Sequence, residues 1–149
     1  MKIKVAWIGK TKEAAIQDLT QEYLKRISRF AEIEGVAVKD EAALIALARG
    51  QQGPRRNERS KLILLDSRGK QISSEELAVM LEREQLNGMP LLFGVGGSDG
   101  FSDGARSQAG FALSLGKMTL PHELARVVLV EQIYRAFTIL NKHPYHLGH

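Results

Sequence analysis

The chain reads as a single α/β domain over residues 1–149. Strand-like and helix-like segments alternate from one end to the other, the pattern of a sheet with helices packed on its faces. Leu62-Ile63-Leu64-Leu65 is apolar at every position, and residues 90–95 read as a second buried strand. Such continuous runs belong to strands covered on both faces, because polar alternation survives only where one face meets water. The expectation is a mainly parallel sheet flanked by helices.

Residues 2–9 alternate polar and apolar side chains and end at Gly9, a strand. Residues 13–28 place Ile16, Leu19, Tyr23, Leu24 and Ile27 near helical spacing, an amphipathic helix. Residues 31–38 are strand-like again, and residues 41–49, rich in Ala and Leu, are helical. Residues 50–60 form a basic loop broken by Gly53 and Pro54. The apolar strand that follows is expected to stop at Asp66. Ser73 and Glu76 have capping-box spacing and start a helix to about Leu86, which Asn87-Gly88 stops. After the strand at 90–95 come a short helix at 103–108 and a short strand at 111–115. Pro121 suits the first turn of a last helix, whose apolar face is Leu124, Val127, Val128, Ile133, Tyr134, Phe137 and Leu140. His143-Pro144 ends it, since the residue before a proline is pushed out of the helical region.

A chain of 149 residues buries a sizeable core, and its 44% hydrophobic and 26% charged content is ordinary for a globular protein. The absence of cysteine excludes disulfides and Cys-based zinc sites and suits a cytoplasmic setting. The charged, alternating start has no signal-peptide pattern, and no run of about 18 apolar residues marks a membrane span. The net charge of +4 is a mild bias toward polyanions. It concentrates in Arg49, Arg55, Arg56, Arg59 and Lys61, opposed only by Glu58, and again in Lys25, Arg26 and Arg29. These clusters are either solvated surface or phosphate contacts for an RNA.

Gly94-Val95-Gly96-Gly97-Ser98-Asp99-Gly100 follows a buried strand. It is either a plain tight turn or a place where a ligand approaches the backbone. A dinucleotide fingerprint needs a sixth-place glycine where Asp99 stands, and no Lys-Ser/Thr pair follows to make a P-loop. Asp99 and Asp103 also disfavour a phosphate, so a neutral or zwitterionic nucleoside held by main chain fits better. Leu115-Gly116-Lys117-Met118-Thr119-Leu120 is either an ordinary connection or a second wall of the same pocket. His143, His146 and His149 stand three apart, but Pro144 and Gly148 break the helix that would align them, and no metal is expected. Acid/base or substrate-positioning work suits a histidine tail better. His122 reads as a helix cap or a surface residue.

Val95-Gly96-Gly97-Ser98-Asp99-Gly100, then residues 115–122 ending in Leu120-Pro121-His122, then Arg126-Val127-Val128-Leu129-Val130-Glu131-Gln132-Ile133-Tyr134-Arg135-Ala136, then His143-Pro144-Tyr145-His146 together resemble the ribosomal RNA large subunit methyltransferase H family. That family belongs to the SPOUT class of trefoil-knotted methyltransferases, and the resemblance covers nearly the whole chain. It implies a C-terminal segment threaded into a knot, an exception to the usual unknotted topology, and a homodimer with its two pockets at the subunit interface. S-adenosylmethionine would be held by Leu65, Gly96, Leu115, Gly116, Lys117, Met118, Thr119 and Leu120. The residues themselves point to the glycine loop and to 115–120, whereas Leu65 otherwise passes for core.

The resemblance further implies methylation of N3 of a pseudouridine in 23S rRNA on the assembled ribosome. The N3 proton must leave, and Tyr145 and His146 are the catalytic candidates. Arg55, Arg56, Arg59 and His143 are the candidate RNA contacts. One departure stands out: the family usually has Arg or Lys after the Tyr-His pair, and this chain has Leu147. The rival expectations are a related SPOUT enzyme with another RNA target, and a ribosome-associated RNA-binding protein without catalysis.

Overall fold

The computed structural model describes residues 1–52 and 58–147. Its elements are β1 (Lys2–Ile8), α1 (Ala14–Ile27), β2 (Glu32–Val38), α2 (Glu41–Ala48), β3 (Lys61–Gln71), α3 (Ser74–Asn87), β4 (Leu91–Val95), α4 (Asp103–Gln108), β5 (Phe111–Ser114) and α5 (His122–Leu140), then a 3₁₀ turn at Pro144–His146. The strands form one sheet in the order β2-β1-β4-β3-β5, and every neighbouring pair is parallel. Among the described residues, no helix is long and apolar enough to cross a membrane.

Side-chain alternation along the strands sorts the core into two layers. Ile3, Val5, Trp7, Ile63, Leu91, Phe93 and Val95 point to the side covered by α1, α3 and α5. Ala6, Leu62, Leu64 and Leu92 point to the side covered by α2 and α4. β3 and β4 are therefore apolar at successive positions, as their sequences implied. Lys61 at the start of β3 is held by the buried Glu84 of α3, Nζ to Oε1 2.5 Å.

Local signals account for the helix ends. Ser73 and Glu76 form the reciprocal capping box, and Gly88 at φ 77° closes α3. Asp40 and Ser102 cap α2 and α4 through their side-chain oxygens. Pro121 stands one residue earlier than expected, as the cap itself, and offers no side-chain bond to the first turn of α5. Glu123 in that turn ties α5 to the β1–α1 connection, accepting from the Lys12 N–H at 2.9 Å and the Glu13 N–H at 3.2 Å.

Asp66 does not end β3, contrary to the sequence reading. The strand runs on to Gln71, and its pairing with β5 slips so that Leu65 and Lys70 both oppose Leu113. The slip is an extended bulge that re-aims Asp66, Ser67 and Arg68 out of the ladder. It also brings Gly69 against the β5 backbone, where a Cβ would lie 2.6 Å from the Ala112 carbonyl. A polar residue after an apolar run looks like a terminus, and only the neighbouring strand shows that it is a bulge.

Gly69→Ala is expected to destabilise the protein by about 3 kcal/mol, because backbone rather than a mobile side chain must move. Urea unfolding measures it. The Glu123 carboxyl is held below its ordinary range, first by the Lys12 N–H and then by the Glu13 N–H, with burial opposing. Its tether is complete above the unfolded carboxyl value of about 4.3 and is lost as pH falls through the lower folded value. The Lys12 and Glu13 amide resonances should titrate together with a midpoint below about 4.3, and Glu123→Gln should abolish that titration.

Candidate functional site

The chain leaves β1 and β3 toward the face that carries α1 and α3, but leaves β4 toward the face that carries α4. Neighbouring strands whose connections part to opposite faces open a crevice at their carboxyl ends. β4 is flanked by two such crevices. The one between β4 and β3 is a cleft of about 890 Å³. Its walls are residues 65–68 from the β3 bulge, residues 95–101 from the glycine loop, residues 114–116 and 118–121 after β5, and His122 and Ala125 of α5.

The glycine loop is held from below. A Cβ on Gly96 would stand 3.3 Å from the Phe101 ring, which is itself buried. Gly97 O accepts from the Gly100 N–H at 3.1 Å to close the turn. On the opposite wall, the Ser114 hydroxyl donates to Gly116 O at 3.0 Å and accepts from its N–H at 3.2 Å. Gly116 has φ 142°, a conformation other residues reach only with strain. Both walls are thus short turns that bring Gly96, Gly97, Gly100 and Gly116 to the cleft.

The β3 side of the cleft is charged. Asp66 is buried, accepts from the Arg68 N–H at 2.8 Å, and lies 3.7 Å from the Arg106 guanidinium. Arg68 also donates to Phe101 O at 3.2 Å, tying the bulge to the glycine loop. Asp66 Oδ2 has no hydrogen-bond partner among the described residues.

Leu65, Gly96, Leu115, Gly116, Met118, Thr119 and Leu120 all line the cleft. Lys117 stands between two of them and is exposed, and Met118 is 85% exposed. Leu65 packs against the core and also lines the cleft. Asp66, Arg68, Phe101, Ser114 and Ala125 also line the cleft and were not marked as site residues from sequence, and His122, read as a cap or a surface residue, lines it too. Asp66 had a usable signal, a charged residue at the carboxyl end of a buried strand.

Tyr145 and His146 do not line the cleft. The 3₁₀ turn folds back beside α5, where the Tyr145 ring meets Tyr134 edge-on at 4.7 Å and its hydroxyl donates to Glu131 at 3.3 Å. Burial, with the hydrogen bond to Tyr23 second, pushes the Tyr145 phenol well above its ordinary value. In this position it stays protonated and acts as a donor. His146 Nδ1 accepts from Arg135 at 3.1 Å, since a guanidinium only donates, which leaves Nε2–H to donate to Glu75 at 2.8 Å. His143 is exposed and its Nδ1 accepts from the Tyr145 N–H. Arg59 is exposed, while Arg55 and Arg56 lie outside the described residues, as does His149.

A family model described as "Predicted SPOUT methyltransferase" matches residues 1–146. Curated relatives named ribosomal RNA large subunit methyltransferase H include one from Koribacter versatilis, 53% identical over the whole of both chains. Another, from Geobacter sp. strain M21, is 41% identical and covers 98% of this chain and 99% of its own. Among solved structures, a probable methylase family protein from Haemophilus influenzae superposes with a TM-score of 0.58 at 13% identity, over 98% of this chain and 69% of that one. The Legionella pneumophila protein Lpg2936, described as a putative methyltransferase with bound SAM, gives 0.50 at 16%, over 91% and 66%. These two likenesses concern the fold. The match over nearly the full length and the identity to the curated relatives decide the kinship: the chain belongs to the SPOUT methyltransferase family.

Proposed function

We propose that the chain is an S-adenosylmethionine-dependent ribosomal RNA methyltransferase of the large subunit, acting on N3 of a pseudouridine in 23S rRNA within the assembled ribosome. The observation that carries the reading is the convergence of two main-chain walls, residues 96–100 and 114–120, on one cleft at the carboxyl ends of parallel strands. The cleft fits the donor. Its volume suits a nucleoside with an amino-acid arm, Gly96 leaves the loop free of a Cβ, and a Cβ at Gly116 would meet nothing within 4 Å, so the wall is open there.

When bound, the donor supplies a sulfonium-activated methyl group. Leu65, Gly96, Leu115, Gly116, Lys117, Met118, Thr119 and Leu120 would hold it, apolar side chains against the base and peptide groups against its polar edge. Binding it and the acceptor base in one cleft would supply most of the required alignment. The remaining task is the N3 proton. Tyr145 and His146 are assigned to it, His146 as acceptor and Tyr145 as hydrogen-bond donor to the nascent anion.

That assignment requires the tail to meet a cleft it does not line within its own chain. A homodimer that sets the tail of one protomer against the cleft of the other resolves this, and exposed Met118 and Leu124 beside the cleft suit burial between subunits. The threaded C-terminal topology of the class is part of the same reading. Arg55, Arg56, Arg59 and His143 would contact RNA phosphates, in place of the cation missing at Leu147. The setting is cytoplasmic, where ribosomes are found.

Calorimetry should detect S-adenosylmethionine binding to the wild-type protein. Methyl transfer should proceed on whole ribosomes and fail on naked rRNA; equal transfer to free rRNA would reject the assembled substrate. His146→Ala and Tyr145→Phe should each lower turnover about a hundredfold or more while leaving cofactor affinity unchanged. Wild-type turnover in both would remove the tail from the chemistry.

A further inference from the structure

Arg126, one turn into α5, is 1% exposed, the largest fully buried side chain among the described residues. Its Nε, Nη1 and Nη2 have no hydrogen-bond partner among them. The guanidinium lies 4.2 Å from the centre of the Trp7 ring, which covers one face and leaves the in-plane donors unanswered. Glu123 is the carboxylate that acts on its charge, but the Glu123 oxygens already accept from the Lys12 and Glu13 N–H groups. Burial opposes the charged form here. An arginine nevertheless keeps its proton, so a fixed cation is held in the interior with its donors free.

These donors border a small notch between β1 and β4, the second crevice beside β4. Gly9, Lys10, Thr11, Gly96, His122 and Arg126 are among its walls, and its volume is about 10 Å³. That is room for one oxygen-sized atom. Thr11 Oγ1 is buried there and also lacks a hydrogen-bond partner among the described residues. The uncapped first turn of α5 adds the positive end of a 19-residue helix. Donors and positive charge dominate the notch, and the Glu123 carboxylate is spent on the neighbouring loop. Val95, Gly96 and His122 belong to both the notch and the cleft, so the two are separated by one layer of residues.

We propose that Arg126, with Thr11 and the first turn of α5, forms the subsite for the carboxylate of S-adenosylmethionine and fixes the end of the cleft at which the amino-acid arm lies. The proposal rests on the methyl-donor reading of the cleft. A carboxylate is the group of that ligand that a buried cation attracts; the ammonium and the sulfonium would be repelled. Arg126 would be a positioning residue that acts on the ligand rather than on the transferred methyl group.

The test is calorimetry on the full chain with S-adenosylhomocysteine, its carboxamide, and 5′-methylthioadenosine, which lacks the amino-acid arm. Arg126→Gln should weaken S-adenosylhomocysteine about tenfold or more and change 5′-methylthioadenosine by less than about threefold, with Arg126→Lys intermediate. Equal weakening of both ligands, or of neither, would overturn the proposal in favour of a purely structural arginine. Should Arg126→Gln fail to fold, the wild-type protein decides: the carboxamide should bind about tenfold more weakly than the acid, and equal binding would overturn the subsite. If the wild type binds neither nucleoside, the methyl-donor reading itself falls; if it binds 5′-methylthioadenosine well and does not distinguish acid from amide, only the subsite does.

Discussion

A strand in the middle of a parallel sheet has no wet face, so β4 must be apolar on both sides, and Leu91, Leu92, Phe93, Gly94 and Val95 are all buried. Close packing at this strand leaves little tolerance. A Cβ on Gly94 would fall 2.7 Å from Leu44 of α2. With β4 locked between β1 and β3, the direction in which the chain leaves it becomes the architectural choice. Exit toward the α4 face, against the exits of both neighbours, opens the two crevices, and the glycine loop spans the rim between them.

The walls of the cleft follow from how each segment satisfies its own backbone. The β3 bulge withdraws residues 66–69 from the ladder and gives their polar groups new partners, Asp66 to the Arg68 N–H and Arg68 to Phe101 O. The segment after β5 closes on itself through Ser114 and Gly116. Rigid turns of this kind can present peptide groups to a ligand without reorganising, which keeps the ordering cost of binding low. Charge is distributed unevenly about β4, with Asp66 and its arginines on the β3 side and, on the β1 side, a buried Arg126 without a hydrogen-bond partner among the described residues. A zwitterionic ligand meets a graded field rather than a neutral box.

The C-terminal tail behaves differently. Its contacts with Glu131, Arg135 and Glu75 are polar and partly exposed, and exposed hydrogen bonds and ion pairs contribute little net stability. The edge-on aromatic contact between Tyr134 and Tyr145 is the apolar part that holds the tail against α5.

Periodicity and capping chemistry are local properties, so they were legible in the chain. The buried runs of β3 and β4, the Ser73–Glu76 box, the Gly88 stop and the apolar face of α5 needed no tertiary knowledge. The two glycine-containing loops were legible as candidate ligand walls, with a plain turn or an ordinary connection as the alternative, and the fold brings both to one cleft. The bulge at Asp66 was not, because a polar residue after an apolar run ends a strand or kinks it according to what its neighbour does. Arg126 was hidden among the apolar residues of α5 as an interruption, and His122 passed for a cap. Whether a side chain is buried, unpartnered or brought to a cleft depends on residues more than a hundred positions away, such as Trp7 and Thr11. Sequence determined the elements and their order; only the folded sheet, by placing the exits of β4 opposite to those of β1 and β3, decided which of their ends form a site.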